Sequence, residues 1–216
     1  MAPDQAALVE AVERFGVSDP RILEAFRAVP RAAFVPEEFK NRAYEDRPLP
    51  IPHDQVTTQP SLSAAMIDAL VVGADDRVLE VGTGYGFQTA LLAHLVSHVT
   101  SVERWGDLAE TARRALRRQG VANAEVLVGD GSRGVGSAAP FDAVLVSAAS
   151  VSVPPPLVDQ LVEGGRLVQP IGPGGREIVT CFRKVGGRLR KVGEVTPARF
   201  VPLVGGEESG GAGSAP

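Results

Sequence analysis

The chain has 216 residues, 44% of them hydrophobic and 22% charged, which suits one decorated α/β domain and is short for two. No apolar run reaches the roughly 18–20 residues of a membrane span, and residues 1–16 ("MAPDQAALVEAVERFG") lack the basic-then-apolar order of a secretory leader, so no membrane partner is expected and cytoplasmic residence follows. A net charge of −4, with "RRALRRQG" the one basic stretch, argues against a nucleic-acid partner, and a single cysteine, Cys181, excludes an intrachain disulfide and a cysteine-based zinc cluster.

The first segment reads as two helices. "DQAALVEAVERFG" has Asp4 as a candidate N-cap and Gly16 as a stop, and "SDPRILEAFRAVP" repeats the scheme with Ser18 or Asp19 capping, Pro20 in the first turn and Pro30 at the end. A proline-rich, polar stretch then runs from 30 to 60, before "LSAAMIDALVV" (62–72) returns to a helical pattern. From there strands and helices alternate. "RVLEVG" (77–82) is a strand, "FQTALLAHLV" a helix and "HVTSVE" (98–103) a strand. "DLAETARRALRRQG" is an amphipathic helix, followed by strands in "AEVLVGD" (124–130) and "FDAVLVSAA" (141–149). "PPLVDQLV" reads as a short helix and "GRLVQPIG" (165–172) as a strand. Continuous apolar strands separated by helices predict a parallel sheet covered on both faces. "REIVTCFRKVGGRLRKVGEV" predicts two further strands joined at Gly186 and Gly187, an antiparallel hairpin at the sheet's edge with Cys181 as a buried structural thiol. The expected fold is therefore α/β and Rossmann-like: a doubly wound, mostly parallel sheet with a C-terminal hairpin and an N-terminal helical extension. It divides into residues 1–60 (helices and a substrate or lid loop), 61–204 (cofactor-binding part) and 205–216, a small-residue tail expected to be disordered.

The strongest chemical signal is "VLEVGTGYGFQTALLA" (78–93), where Gly82, Thr83, Gly84, Tyr85 and Gly86 turn from a strand into a helix. Such a turn brings backbone N–H groups close to a ligand. A dinucleotide fingerprint wants a third glycine where Phe87 stands, and Glu80, two residues ahead of Gly82, repels a pyrophosphate but suits the cationic groups of S-adenosylmethionine. Glu103 closes the next strand about twenty positions on, placed to accept both ribose hydroxyls, and Asp130 in "GDG" (Gly129, Asp130, Gly131) is placed to accept the adenine amino group. Three carboxylates at the C-terminal ends of successive strands point to the edge where open α/β sheets bind ligands.

With these pieces on the page, the sequence resembles the protein-L-isoaspartate O-methyltransferases from about residue 30 to 203. "RAAFVP" (31–36), "AYEDRPLPI" (43–51), "DQVTTQP" (54–60), the glycine turn, "GDG", "FDAVLVSAA", "LVEGGRLVQPIG" and "RFVPL" (199–203) follow the family's motifs in order. The resemblance implies a class I methyltransferase that uses S-adenosylmethionine to esterify the α-carboxyl of isoaspartyl residues in damaged proteins. Its family context makes Thr58, where the family has serine, the catalytic hydroxyl donor to the acceptor carboxylate. Thr57, Tyr85 and Ser147 join the cofactor contacts, and Gln55, Val56 and Ala148 the substrate contacts. A carboxylate is already ionised at neutral pH, so alignment and exclusion of water are the tasks and no base is sought.

Several readings stay open at this stage. Thr57 and Thr58 also suit the cap of the following helix; Asp54, where the family has glycine, opposes an anionic substrate if it faces inward and is harmless if it faces out. His53 reads as a surface histidine, Phe87 as core or cofactor wall, and Trp105 as an adenine neighbour or a helix-start anchor. His94 and His98 do not form a metal pair. Competing functions are methylation of an ordinary aspartate in a dedicated peptide, a non-enzymatic S-adenosylmethionine-binding module, an NAD oxidoreductase and a nucleic-acid methyltransferase. The last is disfavoured because "SAASVSVPPPL" lacks the amide and aromatic groups that hold a flipped base.

Overall fold

A computed structural model describes residues 3–205. Helices α1 (Pro3–Arg14) and α2 (Pro20–Ala28) form the expected N-terminal pair. Asp19 is the cap of α2, its Oδ1 accepting from the Arg21 N–H at 2.8 Å with Pro20 at the first helical position. Asp4 lies inside the first turn of α1, where its charge still faces the positive end of the helix. The proline-rich stretch becomes two short 3₁₀ turns (Arg31–Phe34 and Glu37–Arg42) and a minimal hairpin of β1 (Pro50–Ile51) with β2 (Gln55–Val56). Helix α3 (Pro60–Leu70) begins at Gln59, whose side chain makes no capping bond, so neither Thr57 nor Thr58 serves as the cap.

The main sheet has the order β5-β4-β3-β6-β7-β8-β9. Strands β3 (Arg77–Val81), β4 (His98–Glu103), β5 (Ala124–Val128), β6 (Phe141–Val146) and β7 (Leu161–Ile171) run parallel, and β8 (Glu177–Val185) and β9 (Arg188–Ala198) return antiparallel at one edge. Both faces are covered. On one, Leu8, Val12, Phe26, Met66 and Ile67 share a core with Val78 and Val99 of the sheet, together with Leu91 of α4 (Phe87–Leu95) and Leu116 of α5 (Gly106–Arg118). On the other, Leu157 of α6 (Pro155–Asp159) packs with Leu79, Val81, Val144, Val146 and Leu167. Cys181 is buried in β8, its thiol held above the ordinary range by burial and lying 3.3 Å from the Ala69 carbonyl oxygen.

The chain departs from expectation before β7. The helix ends at Asp159 and the strand begins at Leu161, four residues earlier than the sequence predicts. Phe141 N–H bonds the Gln160 carbonyl at 2.9 Å and Leu161 aligns with Phe141, after which the register shifts. Gly165 permits that crossing, since a Cβ there would stand 2.7 Å from the Asp142 carbonyl oxygen. A Leu-Val pair beside a short helix carries no periodicity that separates the two structures. The tail expected to be disordered lies outside the described residues apart from Gly205. Among the described residues no helix is long and apolar enough to cross a membrane.

Candidate active site

Strand β3 lies between β4 and β6, so the chain leaves its C-terminal end in opposite directions and a crevice opens there. The turn after β3 forms the crevice floor with Gly82, Gly84 and Gly86 at φ of +95°, +56° and +92°, three left-handed positions in five residues that only glycine adopts without strain. The cavity holds about 420 Å³ between this turn, the tips of β4 and β6, and the loop at 51–58.

Glu103 stands in its wall with the carboxylate aimed by two backbone donors, Gly84 N–H at 2.8 Å and Trp105 N–H at 3.0 Å. Thr83, Gly84 and Tyr85 line the floor, where Thr83 Oγ1 is 2.5 Å from Ser101 Oγ. Ser147 and Ala148 close the side at the end of β6. Gly131 contributes backbone at a place where a Cβ would strike Val81 Cγ1 at 2.3 Å. Gln55, Val56, Thr57 and Thr58 form the roof.

Three of the expected cofactor contacts stand behind this wall. Glu80 is fully buried beneath the turn, where it accepts from Gln88 Nε2 (3.1 Å), Thr89 Oγ1 (2.5 Å) and Ser101 Oγ (2.6 Å). Burial, outweighing those three hydrogen bonds, raises its pKa to about 7. Gly129 is not a lining residue. Asp130 turns its carboxylate to the N–H (3.0 Å) and hydroxyl (2.7 Å) of Ser132 and lies against Gly205, as expected of a short polar side chain that can cap its own turn.

Gln88 connects Glu80 to the cavity. Its Nε2 also donates to Ser147 Oγ at 2.8 Å, while its Oε1 is buried with no hydrogen-bond partner among the described residues. Sequence reasoning passed over Gln88 because a glutamine in the first turn of an apolar helix carries no distinctive spacing. It also gave no role to residues 201–204, which form a strap over the crevice mouth. Ala149 N–H bonds the Val201 carbonyl at 2.8 Å, Leu203 N–H bonds the Ala149 carbonyl at 2.7 Å, and Arg104 Nη1 reaches the Val204 carbonyl at 3.0 Å. The "RFVPL" motif was the available signal.

The roof is suspended from one buried cation. Arg31 donates to the carbonyls of Ala43 (3.0 Å), Glu45 (2.7 Å) and Arg47 (2.9 Å) and to Thr57 Oγ1 (3.1 Å), which also accepts from Leu49 N–H at 3.0 Å. The Thr57 hydroxyl oxygen thus accepts two bonds that hold the loop. Thr58 is different: no hydrogen bond to its hydroxyl is present among the described residues, and it lines both the crevice and a second cavity of about 280 Å³ on the outer side. That outer cavity runs past Phe15, Leu62 and Phe200 and includes Arg199, which has no ion pair among the described residues. Asp54 lies exposed at the crevice rim, its charge hydrated and screened.

A sequence model described as protein-L-isoaspartate(D-aspartate) O-methyltransferase matches residues 3–208, nearly the whole chain. The chain belongs to that family. A protein-L-isoaspartate O-methyltransferase of Methanoculleus marisnigri is 48% identical over 190 residues, covering 88% of this chain and 86% of that one. Among solved structures, a protein-L-isoaspartate O-methyltransferase superposes with a TM-score of 0.85 at 30% identity over 93% of this chain and 66% of its own length. A putative family member from Plasmodium falciparum, crystallised with S-adenosyl-L-homocysteine, superposes with a TM-score of 0.81 at 23% identity over 94% of this chain and 99% of its own. Membership of the protein-L-isoaspartate O-methyltransferase family makes the chain a methyltransferase, with the Rossmann-like sheet and C-terminal hairpin expected from its sequence.

Proposed function

We propose that this enzyme transfers the methyl group of S-adenosylmethionine to the α-carboxyl of L-isoaspartyl residues in proteins or peptides, the repair reaction its family name describes. The observation that carries the assignment is the Thr58 hydroxyl, which has no hydrogen-bond partner among the described residues and stands at the meeting of the two cavities.

The crevice fits the cofactor by its own geometry. Glu103, fixed by two backbone donors in the crevice wall, keeps lone pairs for the ribose diol. The Plasmodium falciparum neighbour was crystallised with S-adenosyl-L-homocysteine, the demethylated form of this cofactor. When bound, the cofactor supplies a methyl group already made electrophilic by the sulfonium. The chain's residues then orient and shield the acceptor. A free carboxyl has a pKa near ~4, so it arrives ionised and needs no base. Thr58 Oγ donates to one acceptor oxygen, Arg199 makes the outer cavity favourable to an anion, and the loop at 52–58 excludes water above the reacting atoms. In this assignment the loop at 52–58 and the segment at 196–201 flank the acceptor, and the turn after β3 with the tips of β4 and β6 holds the cofactor, all within one domain.

Radiolabelled methyl transfer to matched isoaspartyl and aspartyl peptides tests the assignment. Label is expected on the isoaspartyl peptide; label on the aspartyl peptide alone would replace the substrate, and label on neither, with cofactor bound, would replace the activity by a sensor role. In the same assay Thr58→Val should leave S-adenosylhomocysteine affinity within about two-fold and reduce turnover about 10–100-fold, the size of a lost hydrogen bond to a charged group.

A further inference from the structure

The tip of the acceptor loop is fastened by contacts that none of the roles above uses. His53 stacks on Trp105 with ring centroids 4.0 Å apart and planes 5° from parallel. Its Nε2 lies 2.9 Å from both carboxylate oxygens of Asp107. Trp105 caps the start of α5 and lines the crevice, and Asp107 lies in the first turn of that helix, while His53 immediately precedes the loop residues 54–58 that line the crevice from the opposite side. His53 and Asp54 both have left-handed backbone, with φ of +64° and +55°, a conformation that a Cβ disfavours and that persists only where neighbouring contacts hold it. The fastening reaches the chemistry from two ends. Five residues along the loop from His53 is Thr58; Trp105 lines the crevice, and its N–H aims the Glu103 carboxylate. Arg104, whose guanidinium carbon is 5.8 Å from the centre of the same indole ring, ties this corner to the strap at Val204.

We propose that His53 is a positioning residue that clamps the acceptor loop across the cofactor crevice, through its stack on Trp105 and its bond to Asp107, and that this clamp must open for the cofactor to exchange. The proposal rests on the crevice holding the cofactor, as inferred above. Closed, the clamp sets the height of Thr58 over the methyl donor and bars the exit past the loop. Open, it frees residues 52–56 while the Arg31 bonds to Arg47 and Thr57 hold the chain on either side.

Trp105 is the only tryptophan in the chain, so its emission reports the stack directly. The test compares wild type with His53→Ala, Asp107→Asn and His53→Phe, in each case confirming an unchanged far-UV spectrum. His53→Ala should alter Trp105 emission in the cofactor-free protein, release S-adenosylhomocysteine at least five-fold faster in stopped flow, and lower kcat on an isoaspartyl peptide at least five-fold with both substrates saturating. Asp107→Asn should shift all three in the same direction by less. His53→Phe keeps an aromatic stack and should recover most of the slow release. Failure of the wild type to bind S-adenosylhomocysteine would overturn the reading of the crevice and the clamp's role with it. Normal binding, with release and kcat in His53→Ala equal to wild type, would overturn the clamp alone.

Discussion

Glu80 shows how a residue can be visible in the sequence while its work is not. An acid before the glycine turn is plain in "VLEVGTG", but its partners come from β4 and the first turn of α4, and no local pattern announces that Ser101, Thr89 and Gln88 converge on it. The result is a carboxyl that no side-chain cation contacts among the described residues, whose pKa burial raises from 4.5 to about 7. The sign of its effect on stability follows. Between those values the folded chain keeps a proton that the unfolded chain has released, so the contribution is complete below about pH 4.5 and disappears as pH rises through about 7. A shift of that size corresponds to about 3 kcal/mol. Glu80→Gln cannot ionise, so its urea unfolding free energy, measured without cofactor, should vary less between pH 5 and pH 8 than that of wild type. The wild type should lose about 2–4 kcal/mol relative to the variant across that interval. Parallel pH profiles would mean that Glu80 ionises as easily in the folded chain as in the unfolded one. Glu103 was placed in the crevice wall by local spacing at a strand end, whereas Thr58 was marked by the family resemblance and not by its own residue pattern.

At the scale of elements, the segment from 43 to 57 has little regular structure and hangs on the Arg31 guanidinium. Four acceptors at 2.7–3.1 Å surround its two terminal nitrogens, and the Phe87 ring centre lies 5.9 Å from the guanidinium carbon. Burial lowers its pKa to about 10, which leaves it cationic at neutral pH. "RAAFVP" marked the place, but the arginine's purpose was hidden because three of its acceptors are backbone carbonyls, whose directions depend on turns and not on residue type. Lysine carries the charge without the planar fork and cannot span all four acceptors. Arg31→Lys should therefore lower stability by about 2–4 kcal/mol and speed hydrogen exchange at amides of 43–58 while the amides of β3 and β6 stay protected. Unchanged exchange in that loop would show that the hairpin of β1 and β2 holds it without Arg31. The early start of β7 belongs to the same scale: a strand crossing made possible by Gly165 is a relation between two elements, and neither element's sequence contains it.

For the molecule as a whole, alternating apolar strands and helices made the parallel sheet and its closing hairpin readable, whereas nothing in residues 3–28 told where those helices would dock. The answer lies in aromatic packing. Phe26 of α2 is fully buried and meets Phe87 edge to face, with centroids 5.7 Å apart, and Phe34 approaches the same ring at 6.1 Å. Phe87 in turn opens α4 immediately after the glycine turn and lines the crevice, so the N-terminal helices and the crevice floor share one wall. A chain built this way should unfold as one unit and not as a helical extension followed by a sheet domain. Phe26→Ala removes a buried ring at that joint and should cost about 3–5 kcal/mol. The informative measurement is coincidence: urea curves followed by far-UV circular dichroism, which weighs all helices, and by Trp105 emission, which reports the distant end of β4, should share a midpoint in wild type and move together in the variant. A circular-dichroism transition that separates from the Trp105 transition would show that the N-terminal helices fold on their own account, and the acceptor side would then be free to detach from a cofactor site that remains intact.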